Sequence, residues 1–200
     1  MEQKNSILEL ARKNNGMIST AMVVKKGFAR GSLKYLVDTG CLEKVDRGVY
    51  CLPDEWEDEF FSLQARYKKG IFSLDTALFL ADLTDRTPAQ FNMPFPTGYN
   101  ISKLKGEGIL ANTVKSTLHN LGIENKITPS GHTVKAYNPE RCLCDIVKEK
   151  NHCDIQLISE AFKNYVKWNN RDINKLSKYA DILKVGGKIR TYLEVLLWQI

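Results

Sequence analysis

The most chemically suggestive group in the sequence lies late in the chain and comprises Cys142, Cys144, His152 and Cys153. Thiolate and imidazole groups are common zinc ligands, and structural zinc sites usually separate paired cysteines by about two to four residues. Here a single residue separates Cys142 from Cys144, in a segment with helical periodicity, where positions i and i+2 point to different sides. The spacing argues against zinc, and we expect neither a metal nor another cofactor.

Catalytic patterns are scarce. Asp82 and Asp85 lie three positions apart and could act as nuclease carboxylates, but an exposed acidic loop is the commoner meaning. His119 and His132 have no neighbouring motif. The sequence also contains no serine-hydrolase elbow, no His-Glu-x-x-His pair and no phosphate-binding Gly-x-x-x-x-Gly-Lys loop. We therefore expect a protein that is not an enzyme.

Positive charge is the feature that points to a partner. The chain carries a formal net charge of +6 and has a sequence pI near 9.0. Residues 1–53 hold nine bases and five acids, a balance of +4, so most of the excess lies in the first quarter of the chain. This distribution favours an anionic partner such as nucleic acid. An acidic run, 54–59, follows Pro53, and this change in composition predicts a domain boundary near residue 53.

The first 53 residues predict a helix-rich module that ends in a hairpin. Apolar periodicity indicates a helix between Asn5 and Asn14, a second helix capped near Ser19 and a third that stops at Gly40. Two short strands follow around a turn at 46–48, where a glycine permits a tight hairpin. Three helices and a hairpin within about fifty residues are the order of a winged helix-turn-helix, whose third helix enters the DNA major groove.

Polar residues off the apolar stripe of the third helix form the predicted reading surface. Arg30 suits a guanine edge, Ser32 a phosphate or base, and Lys34 and Tyr35 the DNA backbone. Basic residues of the hairpin would approach an adjacent phosphate or the minor groove. The alternative is a surface helix with ordinary solvated charges. The predicted DNA-binding residues are Lys25, Lys26, Arg30, Ser32, Lys34, Tyr35, Lys44 and Arg47.

Residues 54–200 predict a larger α+β domain with a mostly helical C-terminus. Strands are expected at 91–95, 114–118, 123–128 and 133–137. Helices are expected at 57–69, from Ser73 onward, and at 142–147, 155–165, 173–183 and 189–200. A helix break is expected at 186–188. Three basic residues between aromatic positions, Lys163, Lys167 and Arg171, are candidates for an extended nucleic-acid footprint or another function of this domain.

Composition limits the class of protein further. Hydrophobic residues make up 43% of the 200 residues and charged residues 26%, values that are typical of globular chains and exclude wholesale disorder. No segment approaches the roughly 20 apolar residues of a membrane-spanning helix. The start lacks the apolar core of a secretory signal, so we expect a cytoplasmic protein in which the five cysteines are buried rather than bridged.

Several motifs together resemble a known family. They are the segments 47–53 (RGVYCLP), 70–78 (GIFSLDTAL), 83–88 (LTDRTP), 95–100 (FPTGYN), 131–137 (GHTVKAY), 139–145 (PERCLCD) and 192–197 (YLEVLL). In this order they resemble the AbiEi family of bacterial antitoxins from type IV toxin–antitoxin (abortive infection) systems, which confer phage resistance. The chain departs from the family pattern at Leu74, where a histidine is expected, and at Cys142, where a threonine is expected.

The resemblance implies a function in two parts. A winged helix would bind inverted repeats in the operon's own promoter and repress transcription, and the C-terminal domain would counteract a cognate nucleotidyltransferase toxin without forming a stable complex with it. Two alternatives remain open at this stage. One is an ordinary winged-helix repressor with a ligand-sensing C-terminal domain, and the other is an enzyme that acts on nucleic acid or on the product of the toxin.

Overall fold

The computed structural model describes residues 2–104 and 106–197, and it combines helix with sheet. Contacts divide the chain into two compact units. The first, here called the N-terminal unit, comprises Met1–Lys68 together with Ile127–Val134, and the second, the C-terminal unit, comprises Lys69–Lys126 and Lys135–Ile200. Within the described ranges no helix has both the length and the apolar character that crossing a bilayer requires.

The N-terminal unit contains four helices and a small sheet among its described residues. In chain order these are α1 (Glu2–Lys13), β1 (Met17–Ser19), α2 (Thr20–Lys25), α3 (Gly31–Asp38), β2 (Glu43–Asp46), β3 (Val49–Cys51) and α4 (Glu59–Arg66). Strand β3 lies in the middle of the sheet and pairs antiparallel with β1 on one side and β2 on the other. The helices pack around a core formed by Ile7, Ala11, Ile18, Val23, Leu33, Leu36 and Leu42.

The three predicted N-terminal helices and the hairpin are present, but strand β1 was not predicted from the sequence. Its three residues are all buried, so the sequence shows no alternation between apolar and polar positions. The strand follows directly on Asn15 and Gly16, which both have positive φ angles and turn the chain out of α1. Pairing with β3, more than thirty residues later, fixes its conformation.

The domain boundary predicted after residue 53 stays a prediction, but the contacts group the chain differently. Helix α4 belongs to the N-terminal unit because Phe61 packs with the core residues Met17, Val49 and Cys51. Residues 127–134 belong to the same unit, held by the buried side chain of Asp58. Local sequence could not indicate this grouping, since it depends on contacts between residues about seventy positions apart.

Asp58 fixes both the start of α4 and the segment 127–134. One carboxylate oxygen accepts the backbone N–H groups of Phe60 and Phe61 and so caps the helix. The other accepts the hydroxyl of Thr128 at 2.5 Å and Nδ1 of His132 at 2.7 Å. Nε2 of His132 lies 3.0 Å from the carbonyl oxygen of Asn14. Both ring nitrogens of His132 therefore face oxygen atoms that can accept hydrogen bonds.

The C-terminal unit carries the remaining helices and strands. Its elements are α5 (Leu74–Phe79), β4 (Phe91–Pro96), β5 (Ile109–Val114), α6 (Ser116–His119), β6 (Ile123–Ile127), β7 (Thr133–Tyr137), α7 (Pro139–Ile146), α8 (Ile155–Lys167), α9 (Ile173–Ile182) and α10 (Gly186–Leu197), with the tip of the β6–β7 hairpin counted in the N-terminal unit. Strands β4 and β5 pair in parallel, and β6 pairs with β7. All eight residues of α7 are buried.

Three of the predictions for residues 54–200 are wrong in detail. The strand expected at 114–118 is instead the end of β5 followed by α6, because the amides of Leu118 and His119 bond the carbonyl of Lys115 and close a helical turn. The break expected at 186–188 is the first turn of α10. The helix expected from residue 57 starts at Glu59, after its cap. Residues 198–200 of the last predicted helix lie outside the described residues.

Candidate nucleic-acid interface

Helix α2 and the turn after it are shaped by their end residues. Ser19 precedes the helix in an extended conformation, and its hydroxyl accepts the amide of Met22 at 3.3 Å. Gly27 ends the segment with a φ angle of +83°, a conformation that favours glycine. Lys25 and Lys26 stand exposed at this end of the helix. The turn therefore places two lysines in solvent between α2 and α3.

Helix α3 buries one face and exposes the face predicted to read DNA. Leu33 and Leu36 are both 1% exposed and hold the helix on the core. Arg30, at the N-terminal cap position, and Lys34 are exposed and lie four residues apart, so they share one side of the helix. Tyr35 is 47% exposed, an unusual position for a large aromatic ring.

Three further features bear on how α3 could contact an anionic partner. Its first turn carries no acidic residue, so its N-terminal dipole is not offset by a carboxylate of that turn. Ser32 is half-buried and therefore less accessible than the other candidates on this helix. Asp38 continues the line of Arg30 and Lys34 by one more turn and is exposed, so negative charge limits the cationic surface at this end.

The β2–β3 hairpin presents the other two predicted residues. Gly48 has a φ angle of +75° and accepts the amide of Thr20 at 2.8 Å through its carbonyl, which ties the turn to the start of α2. The carboxylate of Asp46 accepts the Arg47 amide at 2.5 Å and pairs with Arg66 at 3.0 Å. Arg47 stays exposed at the tip, and Lys44 is exposed on β2.

Within the described part of the chain, the basic residues predicted to bind DNA are not neutralised by ion pairs. Across the described residues, no carboxylate lies within 4.0 Å of the charged nitrogens of Lys25, Lys26, Arg30, Lys34 or Arg47. The same holds for Lys44. Unpaired, exposed cations are available to neutralise phosphates, and their interaction with a polyanion strengthens as salt concentration falls. We call these six residues, with Ser32 and Tyr35, the cationic surface.

The sequence analysis missed one residue that borders the cationic surface. The Nζ atom of Lys4, on α1, lies 3.2 Å from the centre of the Tyr35 ring. A cation over an aromatic face is attracted by the ring's quadrupole, so Lys4 orients Tyr35 and adds a positive charge beside it. Helical periodicity shows only that Lys4 is off the buried stripe of α1. The contact depends on how α1 packs against α3.

In the C-terminal unit, two of the three basic candidates form a pair and the third does not join them. Lys163 and Lys167 are exposed on α8 and lie one turn apart on the same side. Arg171 follows the end of α8, where its guanidinium donates to the carbonyl of Trp168 at 3.1 Å.

Of the cysteines considered for zinc, Cys142 and Cys144 are buried, whereas Cys153, like Cys41, is only half-buried, contrary to the expectation that all five are buried. Burial raises the pKa of Cys142 well above its usual value, that of Cys144 to about 12 and that of Cys153 to about 11. Thiols that resist ionisation are poor metal ligands, because metals bind the thiolate. Among the described residues there is no group of three or more His, Cys, Asp or Glu side chains suited to hold a metal ion.

Comparisons with known proteins give one similar structure and one family match. A crystal structure of the RV2827C protein from Mycobacterium tuberculosis is similar in fold, with a TM-score of 0.51 and 12% identity over 98% of this chain and 81% of that one. No curated protein matches the chain. The family model described as "Transcriptional regulator, AbiEi antitoxin" matches residues 5–53. For this segment the match confirms the resemblance to the AbiEi antitoxins that the sequence motifs predicted.

Proposed function

We propose that the N-terminal unit is a winged helix-turn-helix that binds promoter DNA of its own operon and represses it. In this proposal α3 is the recognition helix and the β2–β3 hairpin is the wing. The observation that carries it is the cationic surface, whose charges are exposed and unpaired on α3, on the preceding turn and on the hairpin. The match of residues 5–53 to a family of transcriptional regulators supports the same function.

Each residue of the cationic surface has a distinct role in the proposal. Arg30 forks onto a guanine edge in the major groove, and Lys34 and Tyr35 contact the backbone beside it. Ser32 contributes a hydroxyl to a phosphate or base. Lys25 and Lys26 bind phosphates before the recognition helix. Lys44 and Arg47 bind phosphate or enter the minor groove from the wing.

The second part of the proposal concerns the C-terminal unit. We propose that it neutralises a cognate nucleotidyltransferase toxin without catalysis of its own and without a stable complex. The antitoxin family match of the N-terminal segment and the motifs in the rest of the chain support this role. Lys163, Lys167 and Arg171 are its candidate residues. Promoter DNA with inverted repeats and the toxin are thus the expected partners, in the cytoplasm.

A gel-shift experiment with the promoter tests the DNA-binding part. The double variant Arg30→Ala/Lys34→Ala should weaken binding at physiological salt, with each lost base contact costing about 1–3 kcal/mol. The matched control, Lys178→Ala/Arg190→Ala, removes two exposed positive charges from the C-terminal unit and should bind like the parent. Equal binding by the parent and the Arg30/Lys34 variant would contradict the assignment of α3.

A toxin-rescue experiment tests the antitoxin part separately. Cells that express the toxin should survive with the parent chain, and also with the Arg30→Ala/Lys34→Ala variant supplied from an unrelated promoter. A chain that represses its promoter but gives no protection would be an ordinary winged-helix repressor, which is the alternative function. Protection that depends on Asp82 or Asp85, tested by Asp→Asn variants, would instead support an enzyme.

A further inference from the structure

The C-terminal unit contains a cavity of about 720 Å³ to which the proposed function assigns no ligand. It lies between the end of α7, helix α8 and helix α10. Its volume falls within the range of roughly 300–1,000 Å³ that is usual for small-molecule sites, which are mostly apolar with a few polar groups. The cavity therefore has the size of a binding site for an organic molecule.

The floor of the cavity is apolar and well supported. Ile146, Val147 and Ile158 line it and belong to the buried core of the unit. The Tyr192 ring lines it as well and is held in place by stacking on Phe162, with ring centres 4.7 Å apart. An apolar chain placed on this floor would be removed from water, which is favourable by about 25 cal/mol per Å² of area.

The α10 side of the cavity exposes apolar surface to solvent. Val195 lines it with 58% of its surface accessible, and Leu196 lies beside it, half-buried. A bound molecule would cover this surface as well as the floor.

The rim of the cavity is cationic. Lys148, Lys163 and Lys188 line it, with Glu149 as the carboxylate among the lining residues. Lys148 is paired with Asp145 at 2.7 Å and Lys188 with Glu149 at 2.8 Å. Among the described residues no carboxylate lies within 4.0 Å of the Lys163 ammonium group. The rim thus offers one uncompensated positive charge next to an apolar floor.

We propose that this cavity binds an amphipathic organic anion. The apolar chain of the ligand lies on Ile146, Ile158 and Tyr192, and its anionic head pairs with Lys163. Charge complementarity selects an anion over a neutral or cationic molecule of the same chain length, because the rim charge would attract only the anion. This inference does not depend on DNA binding by the N-terminal unit.

A head-group series on the full chain tests the proposal. Isothermal titration calorimetry with dodecanoate, dodecanol and dodecylammonium, each below its micellar concentration, should give the tightest binding for dodecanoate. Lys163→Ala should weaken dodecanoate binding about fivefold, the loss expected for a partly exposed ion pair, and leave dodecanol unchanged. The control Lys167→Ala removes a lysine one turn along α8 that does not line the cavity, and it should bind like the parent.

A second pair of variants tests the apolar part of the site. Val195→Asp places a carboxylate in the cavity at a position exposed enough to leave the fold intact, and it should weaken dodecanoate and dodecanol binding by about tenfold or more. Leu110→Asp, a change at a similarly exposed apolar residue on β5, should have no effect. The pair separates a specific cavity from general attraction of the ligands to apolar surface.

Three outcomes would overturn the proposal. The first is equal binding of dodecanoate and dodecanol, which would remove the role of charge. The second is unchanged dodecanoate binding by Lys163→Ala or by Val195→Asp, which would place the ligand elsewhere. The third is an equal loss of dodecanoate binding by the controls Lys167→Ala or Leu110→Asp, which would indicate general attraction to the surface instead of a specific cavity.

Discussion

The two units of the molecule use charged side chains in opposite ways. On the N-terminal unit, lysines and arginines of the cationic surface are exposed and have no carboxylate partner among the described residues. In the C-terminal unit, Arg141 and Glu140 are almost fully buried and satisfied by internal partners. Exposed unpaired charges contribute little to folding and remain available to a partner, whereas buried charges must be satisfied within the fold.

Arg141 shows how completely a buried charge is satisfied. Its Nε donates to Asp145 at 2.7 Å, and one terminal nitrogen donates to the carbonyls of Leu118 at 2.6 Å and Leu121 at 3.0 Å. Its guanidinium carbon lies 4.4 Å from the centre of the Tyr137 ring. One side chain on α7 thus holds the end of α6, and its loss would remove a donor from one oxygen of Asp145 and from two carbonyl groups.

The largest expected effect follows from this network. Arg141→Ala should lower the free energy of unfolding of the C-terminal unit by about 3–5 kcal/mol, because it breaks a buried ion pair and removes a donor from two carbonyl groups. The measurement is urea unfolding, together with hydrogen exchange of the α7 amides. Arg86→Ala is the control, because Arg86 pairs with Asp154 and Glu160 while 45% exposed, and its loss should cost less than about 1 kcal/mol. A similar loss of unfolding free energy in both variants would contradict the difference between buried and exposed charges.

Asp58 is the exception on the N-terminal side, since it is a buried charge in the unit whose other charges are largely exposed. Burial alone would raise its pKa, but hydrogen bonds from His132, Thr128 and the Phe61 amide outweigh it and hold the pKa below the usual value. A carboxyl whose pKa is lower in the folded state stabilises the fold above its unfolded pKa, about 3.9, and this stability is lost as pH falls through the folded value.

The second prediction uses this dependence on pH. The parent chain should lose stability of the N-terminal unit as pH drops below about 4, because protonating Asp58 removes the acceptor of the His132 and Thr128 hydrogen bonds. Asp58→Asn should cost about 1.5–3 kcal/mol at neutral pH and show a weaker acid dependence. Thermal unfolding from pH 3 to pH 7 measures both. Asp54→Asn, at an exposed position nearby, should follow the parent, and an identical acid profile for Asp58→Asn would exclude this carboxylate as the cause.

The sequence predicted most of the helices and both strands of the N-terminal hairpin, because apolar periodicity and end residues are local signals. The stripe of Leu33 and Leu36 and the turn at Gly27 placed α3 correctly, and with it the candidate residues Arg30 and Lys34. The family resemblance was also predicted, and it is confirmed for residues 5–53.

The features that the sequence could not predict depend on contacts between residues far apart in the chain. His132 had no neighbouring motif, yet it pairs with Asp58, which is 74 residues away. Arg141 lies in a helix whose residues are all buried, so the sequence shows no polar face that would indicate its ion pair. The cavity beside Lys163 forms from three separate helices, and periodicity gives the apolar face of each helix without the space between them. Tertiary packing decides these features, not local pattern.

The smallest expected effect concerns Lys4, which carries a positive charge beside the cationic surface and also packs on the ring of Tyr35. Exposed cation–π contacts are worth about 0.5–1 kcal/mol, so Lys4→Met should change the stability of the N-terminal unit by no more than that. If Tyr35 contacts the DNA backbone, the same variant should weaken promoter binding evenly across sequences and lower the salt dependence by about one charge. Gel shifts over a range of salt concentrations measure the promoter affinity and its salt dependence. The control is Lys13→Met, at an exposed lysine near the other end of α1. A loss equal to that of Lys13→Met would separate Lys4 from the cationic surface and assign its contact with Tyr35 to folding alone.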